Sequence, residues 1–590
     1  MNYLKKHNLF FFVVFLYLLN CWYYYPFYAD DSLISLRYVK RFLEGKGLTW
    51  NDGEFVEGYS NFLWILFISA LGKAGMNLIV ASRLLGIVFG ISTLAVIYKY
   101  FRRGETIPVF AGLFILVFTG SFTAWSIAGL EQPLVVFLLT SIIIASFSII
   151  DDFEKKSTWI YLVLSCGFLS ITRPDGILFT LLTFLFFVYF ILKEKFLDQR
   201  RINYLFYFLI PISFYLGLLL FRISYYHEFV PNTALVKVKP SYHHLWGGIK
   251  YLIKFIIYTT PFGIAAFTFL IITTKKYKDP KSIVLLLFSG VWIFYIVLIG
   301  GDFFAAFRQL EVVIFMLGIA IIHGLQTLNI DLARFSIKKK TGIGIIFLSY
   351  IIFQYVVKYN IEAKNDTWAF TGIKIGELLK KNFSSGTLIG VTAAGCIPYS
   401  SELPSVDMLG LNDYYLPRHA SKNIKPGVIG HELGDSDYIL NIRKPDIIIF
   451  NIGSAHSQFE FGEKLLTDKK FDDQYIKTKI LDKNISEHPF TIFINKYGKE
   501  LGIKYEDRRI TIPYYLISSA NGLKVINRKL SLKVEKPETL IIENKRRKNW
   551  ILMPSPNYTG NVISENDIIK IEIFPAKKGK FDRIALLSNK

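Results

Sequence analysis

Two adjacent carboxylates, Asp30 and Asp31, stand where an apolar run ends in the aromatic stretch Trp22-Tyr23-Tyr24-Tyr25-Pro26-Phe27-Tyr28. An amphipathic segment carrying Arg37 follows them. Acids at the mouth of a membrane helix are expensive to hold near hydrocarbon and mark functional sites by default; in a solvated loop the same pair is two surface acids. Other conspicuous polar residues recur along the chain: Glu57, Tyr59 and Asn61 in GKGLTWNDGEFVEGYSN, Arg83, Glu131 in AWSIAGLEQP, and Arg173 with Asp175 in TRPDG. Arg222, the turn Pro231-Asn232-Thr233 with Lys237, and Asp302 with Arg308 complete the set. Arginine and lysine bind phosphate oxygens, arginine as a bidentate fork, and stabilise a phosphate leaving group. A carboxylate facing such a group removes a proton from an acceptor hydroxyl. In sugar transfer the same arrangement suits an oxocarbenium-like transition state, the acceptor replacing the water of inverting glycosidases.

Each residue also has a plainer reading. Arg83 at a helix end is a snorkelling side chain, and Glu131 a first-turn carboxylate that suits the helix dipole. Pro231-Asn232-Thr233 is a turn, and Arg173 and Asp175 pair for structure alone. The chemical reading therefore rests on whether the elements bring these residues to one side.

The chain has 590 residues, 52% hydrophobic and 16% aromatic, with a mean hydropathy of +0.37. That composition is too apolar for a soluble protein of this length and implies a polytopic α-helical membrane protein. The formal net charge of +22 is then expected in cytoplasmic loops, and it does not call for nucleic acid as a partner. Cys21 and Cys166 lie in apolar runs and Cys396 in the hydrophilic tail, so neither a disulfide framework nor a zinc cluster is expected. Lys5-Lys6 before the run Leu9 to Leu19 resembles a signal peptide, but Cys21-Trp22-Tyr23 is no small-residue cleavage site, which implies an uncleaved anchor.

A hydrocarbon core of about 30 Å needs roughly 20 apolar residues per helix. That ruler marks 8–28, 78–98, 107–124, 131–150, 158–172, 176–192, 204–223, 251–273, 282–300, 307–325 and 342–359 as spans, about eleven in all. The short segment 61–75 reads as an interfacial or re-entrant helix. With that assignment the clusters Lys5-Lys6, Lys99-Arg102-Arg103, Lys155-Lys156, Lys193-Lys195-Arg200-Arg201, Lys275-Lys276-Lys278-Lys281 and Arg334-Lys338-Lys339-Lys340 share one side, which the positive-inside rule makes cytoplasmic. Were 61–75 a span, the first cluster would face away from the others. The N-terminus is thus expected inside, and all the polar residues named above outside. The expected organisation is a membrane domain over 1–359 and an extracytoplasmic α/β domain over 360–590. Within the latter, DTWAFTGIKIGELLKKN has helical periodicity and TLIGV, DIIIF and TIFIN have strand length. After about residue 510 the pattern becomes β-rich.

ADDSLISLRYVKRFLEGKGLTWNDGEFVEGYSNFLW resembles the start of the membrane arabinofuranosyltransferases that add terminal β-arabinofuranose to mycobacterial cell-wall arabinan. AWSIAGLEQP, TRPDGILF, FRISYYHEFVPNTALVK, IGGDFFAAFRQL, AAGCIPYSS, VDMLGLND and GVIGHEL resemble the same family in order over most of residues 28 to 450. His227 stands where that pattern has a glycine, and the last stretch of the chain does not match. More broadly, the acid-bearing first outer loop followed by NLIVASRLLGIVFG is similar to the GT-C glycosyltransferase superfamily. The resemblance implies an inverting transfer of a pentose or hexose from a polyprenyl-phosphate donor to a cell-envelope glycan or glycolipid, in the plasma (inner) membrane. It implies Asp30 as base and Asp31 as its orienting partner, with the two roles open to exchange. Arg37, Arg83, Arg173, Arg222, Lys237 and Arg308 become donor-phosphate candidates. Glu57, Tyr59, Asn61, Glu131, Asp175, Asn232 and Asp302 become substrate-binding candidates. Tyr399, Asp407, Asn412, Asp413 and His431 of the tail become acceptor-side candidates. Some members of the superfamily use a divalent cation, which two adjacent carboxylates can hold through oxygen ligands; no further carboxylate is spaced to require one, so metal use is left open. The rival expectation is a transporter or flippase of a lipid-linked sugar, which calls for polar residues on broken mid-membrane helices and for repeated halves.

Overall fold

The computed structural model describes residues 2–193, 199–237, 242–419, 431–517, 523–526, 529–532, 538–545, 547–555, 558–565, 567–575 and 583–588. The chain divides into two units, one formed by Met1–Thr49 with Tyr59–Thr367, the other by Trp50–Gly58 with Trp368–Lys590. The short segment Trp50–Gly58, which in sequence lies in the first loop of the membrane domain, is thus part of the tail unit.

The first unit is helical throughout. Its helices are α1 (Asn2–Tyr23), α2 (Asp30–Leu43), α3 (Phe62–Lys73), α4 (Leu78–Phe101), α5 (Thr106–Phe118), α6 (Gly120–Ile127), α7 (Gln132–Asp151), α8 (Lys156–Thr172) and α9 (Gly176–Lys193). They continue with α10 (Gln199–Leu205), α11 (Leu209–Tyr226), α12 (Asn232–Lys237), α13 (Tyr242–Thr259), α14 (Phe262–Tyr277), α15 (Pro280–Leu298), α16 (Glu311–Thr327), α17 (Ile337–Val356) and α18 (Lys358–Lys364). Among the described residues six helices are long and apolar enough to cross a membrane, or nine if each of three bent pairs is one span. Helices α1 and α8 fall on two further expected spans. Helix α3 has 12 residues and rises about 18 Å, too short for a core of about 30 Å. It packs on α2 and α4 instead.

Three expected spans are not straight helices. The segment 107–124 breaks at Thr119, where α5 and α6 meet at 58°. The segment 251–273 lies across a 96° turn between α13 and α14. Pro261 stands at that turn, and proline both lacks an N–H and disfavours helical geometry in the residue before it. The last span begins at Ile337 and bends by 49° into the helical segment after it. The first ends early, at Tyr23, leaving residues 24–29 as a strap that leads into α2.

The second unit opens with α19 (Trp368–Asn382) and α20 (Cys396–Ser401), which pack on one another. Its main sheet contains β1 (Ile389–Val391), β2 (Ser405–Asp407), β3 (Ile447–Ile449), β4 (Tyr475–Leu481) and β5 (Phe490–Asn495). β1 is central to β2 and β3 and parallel to both, whereas β5 pairs antiparallel with β3 and β4. A parallel pair needs a crossover, and the helical stretch 396–401 supplies it between β1 and β2. The core under this sheet includes Val406, Met408, Ile448, Phe450 and Phe493. Beyond residue 500 the described elements are strands and a 3₁₀ turn at Tyr514–Leu516, the strands including the antiparallel trio Glu538–Glu543, Ile568–Pro575 and Tyr558–Ser564.

Candidate functional site

The strap before Asp30 is held by hydrogen bonds from the Arg83 side chain to its carbonyls and from its Ala29 amide to a neighbouring carbonyl. Arg83, on α4, donates to the carbonyls of Tyr25 (2.8 Å), Phe27 (3.0 Å) and Ile127 (3.2 Å), and its guanidinium lies 4.1 Å from the Tyr25 ring centroid. The Ala29 amide and the Ser32 hydroxyl both donate to the carbonyl of Ala128, at 3.1 and 2.6 Å. Gly129 has φ +89°, and a Cβ there would meet the Tyr28 ring at 2.5 Å, so only glycine lets the two strands of this crossing approach. Asp30 and Asp31 consequently enter α2 in its first turn, where the N–H groups are free of intrahelical partners and favour negative charge.

Arg308 reaches this turn from the segment before α16. Its Nε and Nη2 donate to the two carboxylate oxygens of Asp302 at 2.8 and 3.2 Å. Its Nη1 points at Asp31 Oδ2 from 3.7 Å, beyond hydrogen-bond length. The guanidinium carbon also sits 4.1 Å from the Phe304 ring and 5.6 Å from that of Trp125. Two residues directly before it, Ala306 and Phe307, have left-handed φ of 53° each. That geometry is strained for any residue with a Cβ, at about 1–3 kcal/mol apiece. It persists because Phe307 is clamped among Tyr258, Tyr251 and Tyr359, at ring distances of 4.8, 5.3 and 4.8 Å.

A second network adjoins the first, since Arg173 and Arg308 lie close enough to feel each other's charge. Arg173, at the end of α8, donates to Asp175 through Nε and Nη2 (2.9 and 2.8 Å) and to Glu131 through Nη1 (2.8 Å). The second oxygen of Glu131 accepts from Asn61 Nδ2 at 2.9 Å, and the same amide reaches Ser35 Oγ on α2 at 3.1 Å. The structure therefore brings Asp31, Asn61, Glu131, Arg173, Asp175, Asp302 and Arg308 together at one end of the helices. It disposes the others differently. Arg83 holds the strap with the bonds just described and is 6% exposed. Tyr59 accepts a hydrogen bond from Tyr226, at 3.1 Å, and packs edge-on to Tyr38. Arg37, Arg222 and Asn232 are buried on α2, on α11 and at the start of α12. Lys237 closes α12, and its side chain lies outside the described residues. Residues sequence reasoning missed are Ser32, Ser35, Trp125 and Phe304; the first three act through contacts far away in sequence, whereas Phe304 lies only four residues before the Arg308 it covers.

In the tail unit Asp407 is wholly occupied by its own loop. It accepts from the amides of Leu409 (3.1 Å) and Asn412 (2.8 Å) and from the Asn412 side chain (3.0 Å). Burial pushes its carboxyl up to about 6, although those hydrogen bonds pull the other way. Asp413 accepts from the Leu416 amide and the Tyr438 hydroxyl, each at 2.9 Å, and burial raises its carboxyl too. Glu57 belongs to this unit and is buried. His431 stacks on Phe459 at 4.6 Å, while burial raises the Tyr399 hydroxyl to about 12.

Among the described residues no group of three or more His, Cys, Asp and Glu side chains is placed to hold a metal ion. In this site Asp31 and Asp302 both face the Arg308 guanidinium.

With this geometry in view, the chain compares with known proteins as follows. The apo crystal structure of ArnT from Cupriavidus metallidurans is similar with a TM-score of 0.55 at 10% sequence identity, over 84% of this chain and 98% of that one. The same protein bound to undecaprenyl phosphate gives 0.48 at 10% identity, over 68% and 85%. The apo oligosaccharyltransferase of Archaeoglobus fulgidus gives 0.45 at 11%, over 68% and 64%. Residues 359–498 match a family model described as a domain of unknown function, DUF8728. Comparison with curated proteins gives no match. The likeness to apo ArnT shows the fold: a polytopic helical membrane protein of the GT-C type with a C-terminal α/β domain.

Proposed function

We propose that this chain is a glycosyltransferase that uses a polyprenyl-phosphate sugar and transfers the sugar, with inversion, to a cell-envelope glycan or glycolipid on the outer face of the plasma membrane. The observation that carries this reading is the arrangement of Asp31 and Asp302 around Arg308, at the point where Asp30 and Asp31 begin α2. ArnT, whose fold this chain shares, is a protein solved with undecaprenyl phosphate bound, and that supports a lipid-phosphate donor. The stretches resembling terminal arabinofuranosyltransferases support arabinofuranose, or another pentose, as the sugar.

In this mechanism the Asp30 carboxylate takes the proton of an acceptor hydroxyl as its oxygen attacks the anomeric carbon. The bond from that carbon to the phosphate oxygen breaks on the opposite face, and its electron pair leaves with the phosphate. Asp302 fixes the Arg308 guanidinium through two of its nitrogens, so Nη1 is aimed in advance at the developing charge. Asp31 balances Arg308 and orients the pair. The adjoining Arg173, Glu131 and Asn61 network ties α2, α3, α7 and α8 into a rigid floor.

The test is transfer in vitro from a radiolabelled polyprenyl-phosphate sugar by the wild type, Asp30→Asn, Asp31→Asn and the double variant. The expected outcome is a loss of about 10²–10⁴-fold for Asp30→Asn, the usual worth of a general base, and a smaller loss for Asp31→Asn. Full transfer by the double variant would sink the assignment, and a larger loss for Asp31→Asn would exchange the two roles.

A further inference from the structure

The tail unit contains a pocket of about 430 Å³ whose walls include Glu54, Phe55, Asp413, Tyr414, Tyr438 and Arg443. The volume lies within the range of roughly 300–1,000 Å³ typical of small-ligand sites. One wall comes from Trp50–Gly58, the segment that leaves the first loop to join this unit, and the others from the turn after β2 and the helical turn at Tyr438–Arg443.

Its polar lining is built and fixed. Arg443 donates to Glu54 from Nη2 at 2.9 Å and to the Tyr438 hydroxyl from Nη1 at 3.5 Å, with Asp413 3.9 Å away. Tyr438 donates in turn to Asp413 at 2.9 Å and stacks on Tyr415 at 4.3 Å. Two carboxylates face the Arg443 guanidinium and neutralise it, which works against phosphate and other anions at this point. Beside these groups two large rings are half-exposed, Tyr414 at 51% and Phe55 at 49%. The guanidinium of Arg418 lies 3.8 Å from the Tyr414 ring centroid and fixes it in place. An acyl chain would strip water from Arg443 and its carboxylates without replacing it. A sugar ring suits both halves of the lining: its C–H face covers an aromatic ring, and its hydroxyls donate to carboxylates and accept from the guanidinium.

We propose that this pocket is a saccharide-binding subsite that takes one or two units of a neutral glycan, and that this glycan is the acceptor. The second clause rests on the transferase reading above; the first does not.

The experiment uses the full chain in lipid nanodiscs, free of glycoside detergents, and measures binding by titration calorimetry. The probes are a neutral arabinofuranosyl trisaccharide, mannotriose, and a galacturonic acid trimer as the anionic counterpart. The expected result is saturable binding of at least one neutral trisaccharide and none of the acidic one. Tyr414→Ala and Phe55→Ala are each expected to weaken it by about 10-fold, or 1.4 kcal/mol, whereas Tyr414→Phe and Asp31→Asn retain it. Tyr414 and Phe55 are surface side chains, and Tyr414→Phe reports on any loss of folding. Absence of saturable neutral binding, tighter binding of the acidic trimer, or unchanged binding by both alanine variants overturns the subsite. In transfer assays Tyr414→Ala should raise the acceptor KM at unchanged kcat; an unchanged KM overturns the acceptor clause alone. Saccharide binding that persists while the Asp30, Asp31 double variant transfers fully would leave the subsite standing and remove the catalytic reading.

Discussion

Arg173 and Arg308 both lie between carboxylates, yet their geometry gives them different tasks. All three nitrogen positions of Arg173 are engaged by Asp175 and Glu131 at 2.8–2.9 Å, so its fork is closed and joins α8 to the start of α7. Arg308 is gripped by Asp302 through two positions, and the third faces Asp31 at 3.7 Å, longer than a hydrogen bond, so that nitrogen can turn to a phosphate oxygen arriving beside the pair. Arg308→Ala is therefore expected to lower kcat for transfer by about 10²–10³-fold, the cost of one preorganised donor, and to lower the melting temperature as well, because it strands the buried Asp302 carboxylate. Arg308→Lys should recover only part of the lost kcat, because an ammonium cannot grip Asp302 at two points and still reach forward. Arg173→Ala should strand two buried carboxylates and cost roughly 3–5 kcal/mol of stability, read as a fall in melting temperature, with a much smaller loss of kcat. Equal loss of kcat in both alanine variants would refute this division. At this scale the sequence was readable where partners are neighbours, as in Asp30-Asp31 or Arg173-Pro174-Asp175. It was not readable for Arg83, whose partners are backbone carbonyls that no residue type betrays.

Apolar runs of span length locate helices because burying a backbone in hydrocarbon requires its hydrogen bonds to close within the segment. They do not report direction, so the breaks at Thr119 and Pro261 had no counterpart in hydropathy although the proline itself was visible. Short strands of the tail, such as Ile389–Val391 and Ile447–Ile449, were readable as buried apolar runs, whereas the transfer of Trp50–Gly58 to the tail unit was not, since it depends on contacts such as Asn51 with Ser405 at 2.7 Å. The loop after β2 shows how one residue governs an element. Asp407 ties three donors of that loop, and burial holds its carboxyl at about 6 against an ordinary 3.8. The folded state therefore keeps the proton that the unfolded chain releases, and stability falls as pH rises from about 4 through 6. The full effect is on the order of 3 kcal/mol. Acidification from pH 7.5 to 5 should raise the melting temperature of the tail unit in the wild type, and the gain should shrink in Asp407→Asn. An identical pH dependence in both would show that Asp407 titrates as it does in the unfolded chain.

Across the whole molecule the two ends of the membrane unit differ in chemistry. Helix α7 starts beside Glu131 in the candidate site and ends at Asp151, where Tyr100 and Lys281 meet it. Its 20 residues set those ends about 30 Å apart, one hydrocarbon thickness. Near that far end Tyr204 donates to the carbonyl of Glu154 at 2.9 Å, tying α10 to the loop after α7. Short basic loops are retained in the cytoplasm during insertion, and on that ground we propose that the acid-rich site faces outward. Reporter fusions after Arg103, Asp175 and Asn360 read this directly: alkaline phosphatase should be active at the second and third positions and inactive at the first. Activity at Arg103 would require α3 to cross the membrane despite its 12 residues, would invert the charge rule for the remaining loops, and would overturn the proposed orientation of the candidate site.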